Sequence, residues 1–118
     1  MDILKDFSRN EVTFAGRVGK IDVYDMPDDK YAFGMSICAY NSYQDKSGVV
    51  IYESVWMNAT GFESEKIPLS TLKQIVATKT FVEIKGAIRN QMYTDGEGRH
   101  RSVTSIKVSE LKIIHQEK

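Results

Sequence analysis

Apolar residues recur at every second position along most of this 118-residue chain, and that rhythm gives way to helical spacing at one place only. In "EVTFAGRVGK", Val12, Phe14, Gly16 and Val18 share one parity, while Thr13, Ala15 and Arg17 share the other. After a turn-rich insert, "DMPDDK", the stretch "YAFGMSICAYNSY" alternates again through Phe33, Met35, Ile37 and Ala39. "QDKSG" then reads as a hairpin loop. In "VVIYESVWMNATGF", Ile51, Val55, Met57, Ala59 and Gly61 form a core-like face interrupted by Glu53. The other face holds Tyr52, Ser54, Trp56, Asn58, Thr60 and Phe62, flat rings interleaved with small polar groups. Tryptophan is more often a core residue. Here its neighbours two and four positions away turn Trp56 outward.

The rhythm breaks in "SEKIPLSTLKQIVATKT", where Leu69, Leu72, Ile75 and Val76 fit one helix face and Pro68 sits near the first turn. "FVEIKGAIRNQMY" restores alternation, with Val82, Ile84, Gly86 and Ile88 inward and Lys85, Ala87, Arg89, Gln91 and Tyr93 outward. Asp95-Gly96 marks a hairpin turn, and "RHRSVTSIKVSELKII" supplies the last strand. Three strands, one short helix and two strands is the order of an all-β, five-stranded OB-fold, a partly open Greek-key barrel. Such barrels hold oligonucleotides or oligosaccharides across strands two and three and by two neighbouring loops. The length suits one domain over residues 1–118, with a core from about 10 to 114 and short polar ends.

Composition excludes several classes. No apolar run approaches the ~20 residues of a membrane span, and "MDILKDFSRN" lacks an apolar signal core, so a cytoplasmic protein is expected. The lone Cys38, in an apolar strand, is expected to be buried and inert. Formal net charge is zero, which argues against coating nucleic acid by charge alone. The charge is uneven, however: residues 1–65 carry six Lys/Arg against eleven Asp/Glu, and residues 66–118 carry ten against five. His100 and His115 lack metal-ligand spacing, and no nucleophile elbow, Walker loop or metal-binding His motif occurs. No enzyme, metal or cofactor is expected.

In "RNQMYTDGEGRHRS", Arg89, Arg99 and Arg101 surround Tyr93 on one hairpin, as a basic arm with an aromatic platform would. "NEVTFAGRVGK", "YNSYQDKSG", "SVWMNATGF" and "FVEIKGAIRNQMYTDGEG" together resemble the bacterial and phage single-stranded DNA-binding (SSB) proteins over nearly the whole chain. The resemblance implies base-stacking rings at Tyr43, Trp56, Phe62 and Tyr93. It also implies a homo-oligomer, a tetramer or a dimer. Ending at "IIHQEK", the chain fits a short form without the family's acidic tail, encoded by a phage or plasmid and acting in the host cytoplasm. Single-strand binding needs rings for bases and cations for phosphates. The candidate cations are Arg17, Lys46, Lys85, Arg89, Arg99 and Arg101. Expected partners are single-stranded DNA in replication, recombination or repair, and proteins of those processes. The alternative is an OB-fold adaptor of primosome type that binds a protein or RNA through the same surface.

Overall fold

A computed structural model of the chain describes residues 3–117. Its elements run α1 (Ile3–Phe7), β1 (Val12–Met26), a 3-10 turn (Pro27–Asp29), β2 (Lys30–Gln44), β3 (Val50–Phe62), α2 (Leu69–Ala77), β4 (Thr80–Thr94) and β5 (His100–Gln116). The strands close into a barrel in the order β1-β2-β3-β5-β4. Every pairing is antiparallel except β3 with β5, which meet over Asn58–Thr60 alone. This is the five-stranded OB-fold, with its helix between β3 and β4.

Alternation builds the interior. Phe33, Met35, Ile37, Ala59, Val82, Ile84 and Ile106 fill the barrel, and Ile67, Leu72 and Ile75 join the same core from α2 and its approach. Val76, expected on the buried helix face, is exposed in the last turn of α2. Ile88, expected inward, keeps that parity but stands where β4 leaves the barrel, and it too is exposed.

Two strands change which parity they bury, and a bulge makes each change. In β1 the half-buried set switches from Val12, Phe14 and Val18 to Ile21 and Val23 across Gly19, where the register with β2 slips. The extra residue lets β1 continue to Met26, well beyond "EVTFAGRVGK", pairing first with β4 and then with β2. In β5 the buried set passes from Ile106 and Val108 to Leu111, across a register slip opposite Lys85/Gly86. A barrel of few strands needs such bends.

The end of the chain also departs from expectation. His115 packs its ring 5.6 Å from that of Phe81, and the Gln116 side chain donates to Thr78 Oγ1 at 3.1 Å. The Glu117 N–H donates to the Lys79 carbonyl at 3.0 Å. His115 and Gln116 therefore belong to β5, and Glu117 is tied to Lys79 just beyond it; Lys118 lies outside the described residues.

Candidate nucleic-acid interface

Outside the barrel, register decides which side chains share a surface. Directly opposed residues in neighbouring strands point to the same face. Arg17, Cys38 and Trp56 form one such row across β1, β2 and β3. They line a groove of about 540 Å³ with Tyr40, Lys79 and Phe81. Trp56 is 58% exposed, which matches the outward orientation read from its neighbours. One edge of its indole lies over Gly19, where a β-carbon would come 2.6 Å from Cζ3. The bulge that bends β1 thus also seats the ring. Cys38 faces this groove and is half-buried, not enclosed in the core, because its parity in β2 is that of Ser36 and Tyr40.

Further along β3, Asn58 and Thr60 line a second groove with Lys20, Asp22, Ser36 and Val103. The Lys20 N–H at the bulge donates to Ser36 Oγ at 3.1 Å. A third groove takes in Thr60 and Phe62 with Tyr24, Arg89, Gln91 and Lys107. Alternate residues of one strand, from Trp56 to Phe62, therefore touch three successive grooves. Six residues of strand cover about 20 Å.

Two hairpin arms flank this path, and their tips have the same construction. Asp45 Oδ1 accepts from the N–H groups of Ser47 and Val49, at 2.9 and 3.0 Å, and Asp95 Oδ1 accepts from those of Glu97 and Arg99 at the same two distances. Gly48 and Gly98 close the turns at φ of 88° and 79°, left-handed values that glycine adopts without steric cost. Both carboxyls are held below the usual aspartate range: Asp45 first by the Ser47 hydroxyl, Asp95 first by the Arg101 guanidinium.

The candidate residues separate into groups. Trp56 and Arg17 share the first groove, and Phe62 and Arg89 share the third. Tyr93 lies opposite Arg101 on the β4–β5 arm, in the parity of Arg89 and Gln91. Arg101 is also bound to Asp95 (Nε–Oδ2 3.0 Å), and Arg99 pairs with Glu97 at 2.6 Å. Lys46 stands at the tip of the β2–β3 arm. Tyr43, opposite Ile51, has the parity of Ile37 and Ala39, so the register turns it away from the face of Trp56. Lys85 does not join the rings: it lines a separate groove with Lys66, Glu83, Glu110 and Lys112. There the Lys66 ammonium, 2.8 Å from Glu110, lowers that carboxyl's pKa, with a smaller contribution from Lys85.

Sequence reasoning passed over Tyr40, and it placed Tyr52 on the ring-bearing face without counting it among the stacking rings. Tyr40 opposes Ser54, so it stands diagonally between Trp56 and Tyr52, within reach for aromatic side chains. The alternation that identified Trp56 also contained this signal. Tyr24, Lys79 and Lys107 were missed because they reach the grooves only through the β1 bulge and the barrel's closure.

No protein-family model matches the chain, and no curated protein does. Solved structures do. A Plasmodium falciparum SSB in complex with ssDNA aligns over 92% of this chain and 96% of its own, with a TM-score of 0.71 at 15% identity. A deletion mutant of the single-stranded DNA binding protein from Thermus aquaticus aligns over 91% of this chain, with a TM-score of 0.72 at 9% identity. This chain spans about half of that one, 51%. The chain has the fold of the single-stranded DNA-binding proteins. On that fold, the outer face of β1, β2 and β3, together with residues of β4 and β5, borders these three grooves.

Proposed function

We propose that this chain binds single-stranded DNA without sequence preference, across the outer face of β2 and β3. The observation that carries this reading is the run of three grooves along β3, with rings and cations at both ends. Trp56 and Tyr40 stand with Arg17 and Lys79 at one end; Phe62 and Tyr24 stand with Arg89 and Lys107 at the other. Rings accept any base by stacking, and cations follow the phosphates. The middle groove carries hydroxyls and amides that can bond to sugars or base edges.

The setting proposed is protection of exposed strands in replication, recombination or repair, by a phage- or plasmid-encoded protein that acts as a homo-oligomer. Fluorescence anisotropy of labelled oligo-dT and of a labelled duplex, at equal salt, tests the binding itself. Preference for the single strand supports the proposal. Equal or absent binding opposes it and returns attention to a protein partner for the same face.

A further inference from the structure

Ala32 has the outward parity of β2, yet it is 4% exposed. The ladder explains what covers it. Tyr24 of β1 and Phe62 of β3 both pair with Ala32, so two rings rise from the strands on either side of a side chain that ends at its β-carbon. Both rings remain half exposed, at 50% and 53%. Strands lie about 4.8 Å apart, which sets the roots of these two side chains about 10 Å from each other. Two carbon–carbon contacts at their optimum need about 7–8 Å between ring planes with one flat group between them. A slot rooted at that spacing can take one planar ring between its walls.

Arg89, Gln91 and Lys107 border the same groove of about 260 Å³ from β4 and β5. Met26, at the end of β1, closes the opposite border, and among the described residues no acidic side chain lines the groove. A phosphate is therefore attracted to the β4–β5 side, where both of the groove's cations stand.

We propose that Tyr24 and Phe62 clamp a single nucleobase over Ala32, with its phosphate held by Arg89 and Lys107. The clamp rests on the single-strand reading above and adds to it a site for one nucleotide with a fixed direction of approach. Gln91 is placed to bond the edge of the clamped base, and Ala32 is the floor that leaves room for it.

The test is photocrosslinking of the full chain to oligo-dT carrying 5-iodouracil, with crosslinked residues located by mass spectrometry. The expected result is crosslinking at Trp56 and at both Tyr24 and Phe62. Ala32→Leu, which fills the slot from its floor, should abolish the crosslinks at Tyr24 and Phe62 and leave that at Trp56. In titrations, Tyr24→Ala and Phe62→Ala should each weaken oligo-dT binding by about fivefold or more, and the double variant little further, since one wall cannot clamp. Crosslinking at Trp56 with none at Tyr24, or fully multiplicative losses in the double variant, would overturn the clamp while the single-strand reading stood. No crosslink at any ring would remove both.

Discussion

A β-carbon at position 19 would lie 2.6 Å from Cζ3 and 2.9 Å from Cη2 of Trp56, so the orientation of the indole depends on a missing side chain. Gly19→Ala should swing the ring outward, shift its emission and weaken oligo-dT binding, with far-ultraviolet circular dichroism unchanged because the ring is outside the core. Trp56→Ala should cost about 1–3 kcal/mol of binding, again with a native dichroism spectrum. Unfolding of Trp56→Ala would mean that the indole supports the barrel. The arginines are not equivalent either. Arg89 makes no ion pair among the described residues and lines the third groove, whereas Arg99 and Arg101 already face Glu97 and Asp95. Arg89→Ala should reduce the slope of log affinity against log salt by about 0.7, the value for one phosphate on a single strand. Arg99→Ala and Arg101→Ala should reduce it less, because a carboxylate already neutralises each guanidinium. Equal slopes for the three variants would contradict this ranking.

The two arms owe their shape to Asp45 and Asp95, and this makes their order depend on pH. Each folded pKa lies below the ordinary aspartate value, so the stabilisation is fully present above about pH 4. It is lost as pH falls through the depressed folded value. Amide protection relative to the intrinsic exchange rate at each pH should therefore fall at Ser47, Val49, Glu97 and Arg99 in that acid window, before the barrel amides of Ile84 and Ile106 respond. Simultaneous loss of arm and barrel protection would show that the turns add nothing of their own. These tips were legible in the sequence, as "QDKSG" and "TDGEG", because a turn is written in adjacent residues. So were the alternating faces of β2 and β3 and the outward Trp56. The bulge at Gly19 and the register slips along β5 were not, since a slip is defined by a partner strand far away in the chain. Tyr24 and Lys107 were hidden with them, and Cys38 was assigned to the core from an apolar run without regard to its parity.

At the scale of the whole molecule, the arms leave much surface uncovered. The radius of gyration is 17.1 Å, where a compact chain of this length has about 13.5 Å. The accessible surface is 8826 Å², against about 6,500 Å² for a compact monomer of this mass. Ile3, Leu4 and Phe7 of α1 and Met92 of the β4–β5 arm are among the large apolar side chains left exposed. Association of several copies would cover such surface, and it would also link binding sites on one strand. Light scattering at micromolar concentration should therefore report a mass two or four times 13.4 kDa; a mass of 13.4 kDa would contradict this. The central claim, that the β2–β3 face stacks on bases, is open to one direct measurement because the chain has a single tryptophan in the first groove. Titrating its fluorescence with oligo-dT and, at equal salt, with duplex DNA should give saturable quenching by the single strand and little response to the duplex. Binding of oligo-dT without any change in Trp56 emission, or equal quenching by both, would contradict it.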